Sequence, residues 1–380
     1  MDRIKAVINK KVSHTHFFFM TLAIYIVAIF PIIRANVNYI DDTGRVLKGY
    51  AGWDNYSRYV SCFLSHIIHA NSSYLPDISP VPQIIAVMIL SLAALVVTVT
   101  IKGKGELSIW NVLACIPLGL SPYFVSNGLA DLSGIIAHYK TYLNYVRTDF
   151  RKLCLIVIAL VVLCFVCRMV FESQRNKVIT LMLSVVVAGV MFLLSFGLYP
   201  VLEEPLFEPR SMFGVGVYIT FVFLAAQGTE PKAFLVNVLA VILVWIFFTF
   251  SFTYGNALAV QKEWEDFRRE EVISDLTDIS EFYAKEDKTI KLVGSSEYAP
   301  ALRNVMKQYG VLERLVPCMF QETWVWGRSR FANYYGWRSR AHVKWDEAMD
   351  TDDLSRYELV QESAYHRIYQ QGNQFVVELK

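Results

Sequence analysis

Lys152-Leu-Cys-Leu-Ile-Val-Ile-Ala-Leu-Val-Val-Leu-Cys-Phe-Val-Cys-Arg168 decides the class of this chain, because nothing between its two basic ends carries a charge. A helix rises about 1.5 Å per residue, so about 20 mostly apolar residues cross a hydrocarbon core of roughly 30 Å. Working outward from 152–171, comparable runs lie at 17–33, 80–101, 108–124, 178–200, 212–227 and 232–254, about seven spans in all. The run 212–227 is the shortest. With 54% hydrophobic and 18% charged residues over 380 positions, the pattern is that of a polytopic α-helical membrane protein. A net charge of +2 without a long basic run gives no reason to expect nucleic acid as a partner. No small-residue cleavage site follows the first apolar run, so it reads as a span and not as a cleaved signal peptide.

Lys and Arg set the orientation. They are denser in the segments that share a side with the N-terminus (Arg3, Lys5, Lys10, Lys11, Lys102, Lys104, Arg168, Arg175, Lys177, Lys232) than in the intervening loops. The N-terminus is therefore expected in the cytoplasm, and an odd number of spans leaves the C-terminus outside. On this reading 1–254 is a transmembrane domain with acidic outer loops at 34–79, 125–151 and 201–211, and 255–380 is an extracytoplasmic soluble domain. The latter reads as a small α/β domain: a charged helix at 261–279, a strand at 289–294, a helix at 298–310 and a last strand at 374–379. The stretch 56–70, with Arg58, His66 and His69, reads as a helix lying in the membrane interface.

The chemistry concentrates in the outer loops. The first contains Asp41-Asp42-Thr-Gly-Arg45 and Trp53-Asp54-Asn-Tyr-Ser-Arg58. Paired carboxylates beside a membrane suit deprotonation of a hydroxyl, one as general base while its neighbour orients it, binds a metal or raises its pKa. Arg45 and Arg58 have the geometry to grip a phosphate, and Trp53 to stack on a sugar ring. The same Asp-Asp-Thr-Gly is also good chemistry for a hydrated turn. A second cluster, Glu203-Glu204-Pro-Leu-Phe-Glu208-Pro-Arg210, is held extended by its prolines, and a plain solvated loop is its alternative reading. Asp77, just ahead of Ser79-Pro80, reads as a helix cap. Cys164 and Cys167 form a CxxC inside an apolar helix, where packing outweighs redox chemistry. His66 and His69 share a helical face, but no third metal ligand can be named.

Several of these stretches carry a resemblance. Tyr39-Ile-Asp41-Asp42-Thr-Gly-Arg45, Gly52-Trp53-Asp54-Asn-Tyr-Ser-Arg58, Leu75-Pro-Asp77-Ile-Ser-Pro80-Val-Pro-Gln83, Leu120-Ser-Pro-Tyr-Phe124 and Phe252-Thr-Tyr254-Gly-Asn256-Ala-Leu-Ala-Val-Gln261-Lys262 resemble the serotype-converting O-antigen glucosyltransferases, the Gtr proteins of the type II group. The resemblance implies a membrane-embedded glycosyltransferase of the type C kind in the bacterial inner membrane. It implies a polyprenyl-phosphate glucose donor, an O-antigen glycan acceptor on the periplasmic face, and membrane lipid as surroundings. Carried onto this chain, Asp41 and Asp42 become the base and its helper, and Arg45, Arg58 and Arg210 the grip on the donor phosphate. No cofactor is identified; a divalent metal is one candidate, beside the arginines, for stabilising the leaving phosphate. After Phe124 further apolar spans are expected on the family pattern, whereas the chain runs into a polar stretch, 125–150.

Three rival readings stay open, one of them a non-catalytic membrane scaffold whose outer domain, with its aromatic tail, binds a partner. A transporter or flippase for lipid-linked sugar needs polar residues within its spans. An O-antigen polymerase or acyltransferase works on the same polymer, and a histidine pair at the membrane face favours the acyltransferase.

Overall fold

The computed structural model describes residues 11–36, 59–69, 77–102, 107–115, 132–197, 200, 207, 209, 212, 214–227, 234–279, 282, 288–322, 343–345, 349, 351 and 353–380. In chain order its helices are α1 (His14–Ala35), α2 (Tyr59–His69), α3 (Val81–Lys102), α4 (Ile109–Ala114), α5 (Leu132–Asp149), α6 (Lys152–Glu172), α7 (Lys177–Leu194), α8 (Gly214–Gln227), α9 (Phe234–Asp278), α10 (Pro300–Met306) and α11 (Leu312–Leu315). Its strands are β1 (Lys11–Val12), β2 (Leu107–Ser108), β3 (Lys288–Val293), β4 (Val343–Trp345), β5 (Glu358–Glu362), β6 (His366–Gln371) and β7 (Gln374–Leu379). The chain divides into two compact units, the first comprising 1–34, 80–256 and 306–315, the second 35–79, 257–305 and 316–380.

The first unit is helical. Among the described residues α1, α3, α6, α7 and α9 are long and apolar enough to cross a membrane, five helices in place of the expected seven. Two expected spans account for the difference. The stretch 108–124 yields the six-residue α4, and positions 116–131 lie outside the described residues. The stretch 212–227 yields the 14-residue α8, about 21 Å long and too short for the hydrocarbon core. Val215, Tyr218, Ile219, Val222, Phe223 and Leu224 of α8 are all buried. Helix α7 is the opposite case: Ile179, Met182, Leu183, Val186, Val190 and Leu194 are all exposed. Equal hydropathy therefore covers two roles, one helix buried in protein and one presented to its surroundings.

The loop expected at 125–151 is instead largely helix, the 18-residue α5. Ile135, His138, Tyr139, Tyr142, Tyr145, Val146 and Asp149 recur at three- and four-residue spacing and form its less exposed side. Tyrosines and a histidine supply most of that face, so its hydropathy is low although Tyr142 is fully buried.

The second unit contains a five-stranded sheet in the order β4-β3-β7-β6-β5. β3 runs parallel to both β4 and β7, while β6 is antiparallel to β7 and β5. The expected strands near 289–294 and 374–379 are β3 and β7, and the helix expected at 298–310 is the shorter α10. β4, β5 and β6 were not anticipated. β6 and β7 join through Gly372 and Asn373 with Gln371 opposite Gln374, and Gly372 sits at φ 58°, where a side chain would be strained.

The charged part of α9 belongs to this unit, and its arginines are inside it. Arg268 donates to the carbonyls of Ser296 and Lys380 (3.1 and 3.0 Å), and Arg269 pairs with Glu265 (2.6 Å) and Asp266 (2.8 Å). Glu265 in turn accepts the Met319 N–H (2.6 Å), and Gln261 accepts that of Ala299 (2.9 Å). A run that looks like a solvated charged helix is thus the stitching of an α/β core.

Candidate functional site

The frame of the site begins with a proline and a glycine. Pro31 lies inside α1 and removes one N–H from its ladder. Nearby, Ser251 of α9 donates its hydroxyl to the Ala28 carbonyl. Gly255 packs directly on Pro31: a Cβ there would collide with the Pro31 ring and stand 2.6 Å from its carbonyl carbon. The absence of a side chain is what allows α1 and α9 to touch at this level. One turn further along, Arg34 donates to the Asn256 amide oxygen, so the last turn of α1, which leads into the first loop, is fastened to α9.

The same end of the first unit continues into the segment 306–315. Tyr254 donates to the Leu315 carbonyl (3.4 Å), and the Phe250 and Tyr309 rings stand 5.7 Å apart. Arg314 then reaches three partners. It pairs with Asp149 at the end of α5, donates to the Phe207 carbonyl (3.0 Å), and lies 3.9 Å from the centre of the Tyr145 ring. The Phe207 ring enters an aromatic box, 5.1 Å from Tyr142, 5.8 Å from His138 and 6.1 Å from Tyr145. His138 also makes a 3.0 Å contact with the Pro200 carbonyl through Nδ1, so α5 meets the residue that precedes the acidic loop as well as Phe207 within it. Arg151, two residues beyond Asp149, donates to the Tyr309 hydroxyl (3.3 Å).

Burial raises the Asp149 carboxyl above its ordinary range, and the Arg314 guanidinium opposes this without cancelling it. Asp149 is thereby a carboxylate that pairs with Arg314 and also bonds Thr148, and these groups join α5, segment 306–315 and Phe207. Several hydroxyls inside the spans are bonded within their own helices, whereas the Asn237 amide oxygen of α9 is buried without a hydrogen-bond partner among the described residues. Thr21, Ser91, Thr98 and Ser184 each donate to the carbonyl four residues earlier in their own helix. Cys164 and Cys167 are free thiols. Among the described residues no group of three or more His, Cys, Asp or Glu is placed to hold a metal ion.

Of the residues singled out in the sequence, Asp41, Asp42, Arg45, Trp53, Asp54, Arg58, Glu203, Glu204, Glu208 and Arg210 lie outside the described residues. Asp77 is described, and its role differs from the expected helix cap. Its carboxylate accepts the Ser79 N–H (2.9 Å), bracing the turn before α3, which starts only at Val81. Sequence reasoning passed over Arg314, Asn256 and Phe207 as functional positions. Asn256 stood within a stretch quoted for the resemblance, and Phe207 between two acidic positions, but nothing local marked Arg314.

Comparison with known proteins adds a family to this geometry. Residues 30–129 match the family described as Glucosyl transferase GtrII, a stretch that begins beside Pro31 and runs through the first loop and α3. A protein of Salmonella phage P22, named as an uncharacterized 55.3 kDa protein in the gtrB 5' region, is 24% identical over 126 residues. That is 33% of this chain and 26% of the phage protein, so the chain spans about a quarter of the length of the curated relative it matches. No solved structure matches. The resemblance to the type II Gtr proteins is borne out by these matches.

Proposed function

We propose that this chain is a membrane glucosyltransferase that moves glucose from a polyprenyl-phosphate carrier to an O-antigen repeat on the periplasmic face of the inner membrane. The single observation that carries the reading is the match to a glucosyl transferase family over 30–129, which contains the Asp41-Asp42 pair. The long apolar helices suit a donor dissolved in the bilayer. The transporter reading draws no support from Thr21, Ser91, Thr98 and Ser184, whose buried hydroxyls are bonded to their own helices; the buried Asn237 amide oxygen of α9 is an observation on its side.

In the proposed reaction Asp41 or Asp42 takes the proton of an acceptor hydroxyl, and that oxygen forms a bond to the anomeric carbon of the donor. The bond from this carbon to the phosphate oxygen breaks, and polyprenyl phosphate leaves with the electron pair. A single displacement inverts the anomeric centre. The leaving phosphate is an anion of low basicity, so it needs charge stabilisation and no proton. Arg45, Arg58 and Arg210 supply this, or a divalent metal held by acidic side chains of the loops. Trp53 stacks on a sugar, while Asp54, Asp77, Glu203, Glu204 and Glu208 accept from its hydroxyls. In this orientation the N-terminus is cytoplasmic and 255–380 is periplasmic.

The test is mass spectrometry of O-antigen from cells that express this chain with a polyprenyl-phosphate-glucose synthase and a flippase. The expected result is one added hexose per repeat, dependent on the synthase. Asp41→Asn and Asp42→Asn at normal protein levels should each lower transfer by at least about a hundredfold if the residue acts as base or helper. Full activity in both would remove the assignment.

A further inference from the structure

We propose that Arg314 is a positioning residue whose contacts tie segment 306–315 to the acidic loop 201–211 and so fix the backbone that presents Glu208. The inference rests on the glucosyltransferase reading for its consequence, although its geometry stands without it. Arg314 uses separate guanidinium nitrogens for separate partners: Nη2 for the Asp149 carboxylate and Nη1 for the Phe207 carbonyl. Its planar face lies over Tyr145. Arginine is suited to this, since its fixed fork serves two acceptors while its face stacks; lysine offers a point charge only.

Phe207 is the residue immediately before Glu208, and both its carbonyl and its ring are held, the ring by Tyr142, Tyr145 and His138. Prolines at 205 and 209 flank the same stretch and restrict its backbone further. A backbone fixed at Phe207 would lose fewer conformations on binding a sugar, which favours the reacting geometry and not affinity alone. The bond from Arg314 reaches this position from about a hundred residues later in the chain.

Hydrogen exchange of the purified full chain in lipid nanodiscs tests this directly. Arg314→Met should speed exchange of the amides in 201–211 by about tenfold or more, because a charged hydrogen-bond donor is lost. Exchange in α6 and α8 should stay unchanged, which reports that the unit is still folded. Arg314→Lys should give an intermediate effect, and it serves as the reading if the methionine variant does not fold. Unchanged exchange of 201–211 in a folded variant of either kind overturns the proposal. In the transfer assay Arg314→Lys should lower kcat several-fold and leave the donor KM unchanged; an effect on KM alone would overturn the positioning role. If exchange responds while the unaltered chain transfers no glucose, the glucosyltransferase reading has failed and the loop contact has not.

Discussion

The two ends of the helical unit use their charges differently. At the Lys102 end, cations close off a short helix: Lys102 donates to the Leu224 carbonyl (2.6 Å) and Arg168 to that of Ala225 (2.7 Å). Gln227 there accepts from the Asn111 amide (3.0 Å) and donates to the Trp110 carbonyl (2.7 Å). Lys102 and Arg168 satisfy carbonyls that the last turn of α8 leaves without partners, and Gln227 ties that turn to α4, which lets a 14-residue helix stop inside the protein. At the Arg34 end the polar groups instead fasten segments together: α1 to α9, α5 to 306–315, and 306–315 to Phe207. The first end completes helices and the second holds loops. Loops hold proposed substrate groups in this chain, so damage at the two ends should separate stability from activity.

The largest effect is expected where the loop-holding end depends on bare contact. Gly255→Leu places a side chain against Pro31, and overpacking at such a contact costs about 3 kcal/mol or more when neither backbone can move. The expected outcome is loss of folded protein, read as a collapse of membrane-inserted, protease-resistant chain. Gly255→Ala should fall between this and the native chain. A Gly255→Leu protein of native melting temperature would mean that α1 and α9 are not in contact here.

At the other end, Gln227→Leu should cost about 2 kcal/mol, since it orphans the buried Asn111 amide and the Trp110 carbonyl together. Thermal unfolding in detergent measures this. The comparison between the ends sharpens if the protein that remains folded transfers glucose at the native rate, because the bonds of Gln227 run to Trp110 and Asn111 of α4.

How much of this was legible in the sequence depends on the distance over which each feature is encoded. α1, α3, α6 and α7 write themselves as unbroken apolar runs, and the charged half of α9 and strands β3 and β7 are local patterns too. α5 was concealed because its buried side is made of tyrosines, which score as nearly polar yet bury large rings. α8 read as a span because hydropathy measures solubility in oil and is blind to whether the neighbour is lipid or protein. The β6–β7 hairpin did have a local signal, Gln371-Gly372-Asn373-Gln374, that a search for turn chemistry would have found. Arg314 had none: its partner Asp149 is 165 residues away, and a lone arginine in Leu312-Glu-Arg-Leu315 is indistinguishable from a solvated one. The stretches that carry the resemblance pointed at the first loop and at α9 with its Asn256, while Arg314 emerged only from the fold.

The smallest expected effect on stability discriminates most between the two ends, and it concerns Asp149. Its folded carboxyl pKa is raised by burial, so the folded state holds this proton more tightly than the unfolded chain does. A group raised in this way contributes stability at low pH that is lost as pH rises through the folded value. Near neutral pH the ionised Asp149 is therefore a net cost, only partly offset by Arg314. Asp149→Asn removes that cost and keeps an oxygen able to accept from Arg314, so its melting temperature near neutral pH should equal or slightly exceed that of the native chain. The charge that draws Arg314 toward α5 is gone, however, so hydrogen exchange in 201–211 should quicken by a few-fold, less than in Arg314→Met. With the intrinsic slowing of amide exchange at lower pH divided out, acidifying the native protein through the raised pKa should lower the protection of the same amides, and Asp149→Asn should show no such change in protection. A variant that is destabilised at neutral pH with an unchanged loop would reverse the argument: Asp149 would then complete a helix end, as the cations of the Lys102 end do, and the two ends would be alike.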